Sequence, residues 1–191
     1  MICGILLAAG AARRFGGGKL KQALPDGTPI GIAALRNLRT ALDRVLVVLR
    51  PGDDPLASLY AADGAETIVC EDALLGMGHS LAAGIAHEAT ANGWVVALAD
   101  MPYVMPATVR AVADCVSKSH GIVLPYLGAE RGHPVGFHQT FRDELLALKG
   151  DSGARSVIQA HPEALIRLQV KDPGILQDID TFEDLRRLSS S

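Results

Sequence analysis

The stretch Leu6-Leu7-Ala8-Ala9-Gly10-Ala11-Ala12-Arg13-Arg14-Phe15-Gly16-Gly17-Gly18-Lys19 joins an apolar run to a glycine-rich loop that carries arginines and closes on a lysine. Residue types in this order suit an anion. Glycine lets the backbone come close, unpaired N–H groups point at phosphate oxygens, and Arg and Lys neutralise them. The ligand class this predicts is a nucleotide or another polyphosphate. Spacing excludes two common phosphate loops. A Walker A loop ending at Gly18-Lys19 needs glycine at 13 and Ser or Thr at 20, where the chain has Arg13 and Leu20. A G-x-G-x-x-G fingerprint starting at Gly16 needs glycine where the chain has Lys21.

A second chemical position follows another apolar run. Val95-Val96-Ala97-Leu98-Ala99-Asp100-Met101-Pro102 sets one carboxylate directly after a buried strand. A charge there is costly unless it is paired or bound to a cation. Carboxylate oxygens that share an ion with substrate phosphates suit Mg²⁺. Late in the chain, Asp178-Ile179-Asp180-Thr181-Phe182-Glu183-Asp184-Leu185 offers more carboxylates. It reads equally as a helix start capped by Thr181, with Asp184 at the third position.

Three further strings are polar and glycine-bearing. Leu74-Leu75-Gly76-Met77-Gly78-His79-Ser80-Leu81 opens a helix, where free N–H groups suit a base edge or a phosphate. Helix capping by Ser80 is the alternative. Arg131-Gly132-His133-Pro134-Val135 and Gly150-Asp151-Ser152-Gly153-Ala154-Arg155 are loops of the type that carries substrate contacts. The second reads also as a helix C-cap followed by a new N-cap. His87, His120, His138 and His161 show no metal spacing and are expected at the surface or in packing.

Taken together, these strings resemble a known family. L-A-A-G-x-x-x-R-F-G-x-x-K, Leu-Ala-Asp-Met-Pro, G-M-x-x-S-L-x-x-G, G-H-P-V, G-D-x-G-A-R and D-I-D-T-x-E-D-L are similar to motifs of nucleotidyltransferases that activate sugars and cofactors with an NTP. The likeness is greatest to the MobA/MocA-like branch, and within it to the molybdenum cofactor cytidylyltransferases. It runs from Leu6 to Leu188. The resemblance implies a nucleotide held by Leu7, Ala8, Ala9, Gly10, Arg14, Lys19, Gly78 and Ser80. It implies that Arg14, Lys19 and Asp100 carry catalysis, with Mg²⁺ on Asp100 and Asp180, Asp180 being preferred to Asp178 by register. His133, Asp151 and Arg155 would meet the acceptor, Asp151 orienting Arg155. The implied reaction moves CMP from CTP to the phosphate of molybdopterin, releasing pyrophosphate. Ala8-Ala9-Gly10 in place of A-G-G favours the cytidylyl over the guanylyl branch. A sugar-phosphate acceptor and a non-catalytic carrier of the molybdenum cofactor are the other readings. A client molybdoenzyme or its chaperone is the implied protein partner. Two departures stand out: Ala12 where the family has Ser or Thr, and Phe182 where it has Pro.

The elements that must position these residues are legible as alternating apolar runs and helical patterns. Strands are expected at Cys3–Ala8, Val45–Leu49, Glu66–Val69, Trp94–Ala99, Ile122–Pro125, Val135–His138 and Ile166–Val170. Helices are expected at Pro29–Leu42, Pro55–Ala62, Gly78–Ala91, Pro106–Ser119, Thr140–Lys149 and Thr181–Leu188. This pattern predicts an α/β protein, a three-layer α/β/α stack around a Rossmann-like, mostly parallel sheet. The resemblance makes it the nucleotide-diphospho-sugar transferase type. In such sheets ligands bind beyond the carboxyl ends of the strands, where every motif above falls.

One domain is expected over residues 1–188, with a disordered tail at 189–191. A net charge of −3 and few aromatics argue against a nucleic-acid partner. No apolar stretch approaches a membrane span, and the N-terminal run reads as a strand and not as a signal peptide. Cys3, Cys70 and Cys115 form no C-x-x-C pair and are expected as buried thiols in a reducing cytoplasm.

Overall fold

The apolar runs become the strands of one sheet. The structure is a computed structural model that describes residues 1–10, 17–181 and 183–185. β1 (Ile2–Leu7) lies at the centre, with β2 (Val45–Leu49) on one side and β4 (Gly93–Leu98) on the other, both parallel to it. β3 (Glu66–Val69) extends the parallel set beyond β2. β7 (Val135–His138) runs antiparallel between β4 and β5 (Ile122–Leu127). β8 (Leu165–Gln169) pairs in parallel with β5, and the short β6 (Glu130–Arg131) pairs antiparallel with the end of β5. The sheet is mixed and mostly parallel, as expected.

Both faces of the central strands are covered, which is why they are continuous apolar runs. Neighbouring residues of one strand feed different cores. Leu6, Val47 and Val95 pack under α1 (Ile30–Ala41), α2 (Asp54–Ala62) and α4 (Pro106–Lys118), through Leu35, Tyr60 and Val112. Ile5, Val48 and Val96 pack under α3 (Met77–His87), α5 (Arg142–Leu146) and α6 (Arg155–Ala160), through Leu81, Leu145 and Val157. Each fully buried Leu or Ile contributes about 1.5–3 kcal/mol, so this pair of cores outweighs any single surface contact. The result is the expected three-layer α/β/α stack.

Two expected helices differ. The helix expected over Gly78–Ala91 spans Met77–His87, and beyond it the Asn92 amide donates to the Met1 carbonyl (2.9 Å) instead of continuing the helix. The helix expected over Thr140–Lys149 is a 3-10 turn at Gln139–Phe141 followed by the five-residue α5. There the His138 ring accepts from the Thr140 amide (3.3 Å) and caps the 3-10 turn. α6 and β6 were not expected. Among the described residues no helix is long and apolar enough to cross a membrane. Cys3 and Cys70 are buried as expected, and Cys115 is half-buried.

The topology fixes where chemistry can occur. The carboxyl ends of β1, β4 and β5 share one edge. β7 runs the other way, so its amino end, with Gly132 and His133 before it, reaches the same edge.

Candidate active site

Lys19 is the organising cation. Gly17 and Gly18 have φ of 94° and 67°, a region open to glycine at little cost, and they turn the chain into a 3-10 turn at Lys19–Lys21. That turn lays the Lys19 side chain across the strand ends, 8% exposed. Its Nζ donates to Asp100 Oδ2 (2.8 Å) and Asp180 Oδ1 (3.0 Å). Burial opposes the ammonium charge. The hydrogen bond and charge of Asp100, then those of Asp180, outweigh it and hold the Lys19 pKa above its ordinary value.

Asp100 is delivered by β4, and the Ile179 amide donates to the Asp100 carbonyl (2.9 Å). This backbone bond brings the last segment of the chain alongside and sets Asp180 next to Asp100. Asp178 is exposed. Asp184 Oδ2 accepts from the Thr181 amide and hydroxyl (both 2.8 Å), and the Thr181 hydroxyl accepts from the Asp184 amide (3.2 Å), the capping pair expected there. Asp100 Oδ1 is buried and, among the described residues, accepts no hydrogen bond. Among the described residues the cluster brings together the Asp100 and Asp180 carboxylates, the Lys19 ammonium and the unbonded Asp100 Oδ1. An orphaned buried carboxylate oxygen beside a second carboxylate is a donor set suited to a hard divalent cation.

A cleft of about 400 Å³ opens above this cluster. Leu7, Ala8, Ala9, Gly10, Lys19, Ser80, Asp100 and Asp151 line it. One wall is the start of α3. Gly76 has φ of 130°, and a Cβ there would meet the Gly150 carbonyl carbon at 2.2 Å. The Gly78 amide donates to the Gly150 carbonyl (2.8 Å). Glycine at both positions lets the 150–153 loop press against the helix end, which turns Asp151 into the cleft. Gly78 thus supports the wall and does not itself line the cleft. Ser80 caps nothing, because Gly76 is the N-cap of α3, and it faces the cleft instead.

The residues expected to meet an acceptor are less converged. His133 lines a smaller hollow with Asn37, Met101 and Val104, and its buried Nδ1 has no hydrogen-bond partner among the described residues. Burial, then the Arg131 charge, lowers its pKa, against an opposing pull from Asp100. Arg155 begins α6 and is exposed. Among the described residues no hydrogen bond or ion pair joins Asp151 to Arg155. The site expected at Arg14, and the departures at Ala12 and Phe182, lie outside the described residues. Sequence reasoning assigned no role to Ala73, Leu74 and Met77, which also line the cleft. Two of them stand in the quoted helix-start string, and their apolar type gave no chemical signal.

Residues 4–165 match the family described as the MobA-like NTP transferase domain. Purine catabolism protein PucB of Bacillus subtilis (strain 168) is 37% identical over 195 residues, covering 96% of this chain and 93% of that protein. Nicotine blue oxidoreductase of Paenarthrobacter nicotinovorans is 30% identical over 198 residues, covering 98% and 96%. The crystal structure of Rv0371c from Mycobacterium tuberculosis H37Rv superposes with a TM-score of 0.87 at 32% identity, covering 100% of this chain and 97% of that one. A structure of Rv0371c in complex with manganese gives a TM-score of 0.83 at 31% identity, covering 100% and 98%.

Proposed function

The chain belongs to the MobA-like NTP transferase family, and from that premise we propose that it transfers CMP from CTP to the phosphate of molybdopterin or its molybdenum complex, releasing pyrophosphate. One observation carries the reading: Lys19 bridges Asp100 and Asp180 beside an orphaned Asp100 oxygen, under a cleft at the carboxyl ends of the parallel strands.

Asp100 and Asp180 would hold a divalent cation, Mg²⁺ by charge and hardness, which supplies charge neutralisation to the triphosphate when bound. The manganese complex of Rv0371c supports a metal at this fold. The chain's own residues do the rest. Gly10 and the Ala8-Ala9 backbone border the cleft and leave room for phosphate oxygens. An acceptor phosphate oxygen attacks the α-phosphorus; the new P–O bond forms as the bond to the β-phosphate's bridging oxygen breaks. The electron pair leaves on pyrophosphate, and Lys19 neutralises the charge that develops there. The acceptor is already anionic, so no protein nucleophile is needed and positioning supplies much of the rate. Ser80, at the start of α3, sits where a base or ribose would be read. Asp151, with Arg155 and His133 further out, lies on the acceptor side.

CTP is preferred on Ala8-Ala9-Gly10. A client molybdoenzyme or its chaperone would take the product, in the reducing cytoplasm that three unpaired thiols suit. The test is pyrophosphate release with Mg²⁺ and molybdenum cofactor across CTP, GTP, ATP and UTP. Turnover with CTP alone is expected. Turnover with GTP alone moves the protein to the guanylyl branch. Silence with all four rejects transfer to this cofactor and leaves a sugar-phosphate acceptor or a non-catalytic carrier. The relative named as an oxidoreductase makes pyrophosphate the product to follow, because hydride or electron transfer releases none.

A further inference from the structure

Asp172 is 2% exposed and lies outside the cleft, yet it binds both segments that deliver the metal carboxylates. Its Oδ2 accepts from the Met105 amide (2.9 Å) and the Thr108 hydroxyl (2.7 Å). Its Oδ1 accepts from the Gly174 amide (2.9 Å). Met105 and Thr108 belong to the start of α4, reached through the five residues after Asp100. Gly174 begins the run that ends at Asp180. One carboxylate therefore spans the gap between the two strands of chain.

The packing at that gap is tight. A Cβ at Gly174 would lie 2.0 Å from the Tyr103 carbonyl oxygen, so the two backbones touch. The Ile175 carbonyl accepts from the His133 amide (3.0 Å), and the Ile179 amide donates to the Asp100 carbonyl (2.9 Å). The spacing of Asp100 and Asp180 is thus pinned at two places: Ile179 beside the carboxylates and Asp172 behind them. Among the described residues Asp172 has no ion-pair partner. Three donors, two of them at a helix N-terminus, stabilise its charge instead.

We propose that Asp172 is a positioning residue that sets the separation of the Asp100 and Asp180 carboxylates, and through it the affinity for the divalent cation. This rests on the reading that those two residues hold the ion. Hard cations demand short, near-ideal oxygen distances, so a small slip between the two segments weakens binding. An Asn at 172 keeps the volume but turns one acceptor into a donor, facing either the Gly174 amide or the Met105 and Thr108 donors.

The test titrates the full chain with Mn²⁺ alone, followed by calorimetry and by the Mn²⁺ electron paramagnetic resonance signal. Asp172→Asn is expected to weaken Mn²⁺ binding about tenfold, in line with outer partners of metal ligands. Thr108→Val, which removes one uncharged donor, is expected to weaken it less and in the same direction. Raising the metal concentration should restore kcat in both, in protein that circular dichroism shows to be folded before metal is added, so that metal-driven refolding does not account for the recovery. Wild-type Mn²⁺ affinity in folded Asp172→Asn overturns the proposal; should that variant fail to fold, wild-type affinity in Thr108→Val overturns it. Asp100→Asn separates the two layers of the reading. If it leaves Mn²⁺ binding intact, the metal site itself is wrong. If it abolishes binding while Asp172→Asn does not alter it, only the positioning role falls.

Discussion

Acidic residues gather at both edges of the sheet, and the two gatherings differ in what they leave unsatisfied. At the amino ends of the strands, Arg44 donates to both oxygens of Glu66 and to Glu88 Oε1, and His87 Nε2 lies 3.2 Å from Glu66 Oε1. Glu66, His87 and Glu88 are close enough together to share a metal ion. A planar guanidinium already fills that place with charge-assisted bonds. At the carboxyl ends, Lys19 gives its single ammonium to two carboxylates, and Asp100 Oδ1 stays unbonded beneath an open cleft. A count of acidic groups does not separate the two edges. The orphaned oxygen and the cleft do, and the proposed function rests on the carboxyl edge for that reason.

The largest expected effect is at Asp100. Asp100→Asn should lower pyrophosphate release by about 10³-fold and abolish Mn²⁺ binding, measured by turnover and calorimetry, because it removes the charge that a cation and Lys19 share. Lys19→Met should cost about 10²-fold in turnover. Calorimetry without nucleotide should show Mn²⁺ binding more tightly to that variant, since the ammonium no longer competes for the same carboxylates. Weaker Mn²⁺ binding would mean that Lys19 helps to build the metal site instead of competing with it.

The amino edge should respond in stability and not in chemistry. Arg44→Met strands the Glu88 side chain, which is 6% exposed, with its charge unpaired. Urea unfolding should show a loss of about 2 kcal/mol, below the usual cost for a fully buried pair because solvent reaches the guanidinium. Turnover, and Mn²⁺ affinity at Asp100 and Asp180, should not move.

The smallest effect is at His133. Burial and Arg131 hold its folded pKa below the ordinary 6.5, so the unfolded chain takes the proton first as pH falls. Its contribution to stability is complete above 6.5 and declines as pH drops from there toward the folded value. Thermal melts between about pH 7.5 and 5.0 should show a steeper loss for the wild type than for His133→Gln.

How much of this was legible depended on run length and on separation along the chain. β1, β2 and β4 were readable because burial on both faces leaves them almost no polar residue. β6 has two residues, both exposed, and carries no pattern at all. α6 buries only Val157 and Ile158, too few to establish a period after a glycine-rich loop. In the site, Lys19, Asp100 and Asp180 each stood in a readable string. Their mutual contact did not, because it closes over separations of 81 and 161 residues. Asp172 was the least visible. Between Lys171 and Pro173 it has the composition of a surface turn, and only the fold shows it buried against α4.

The most direct measurement is a crystal structure of the chain grown with Mn²⁺ and a non-hydrolysable CTP analogue, with the ion located from its anomalous signal. The account predicts Mn²⁺ on Asp100 and Asp180, with the triphosphate between Gly10 and Lys19 and no ion at Glu66, His87 and Glu88. An ion at that amino-edge cluster, or a nucleotide bound without contact to Lys19 and Asp100, would contradict it.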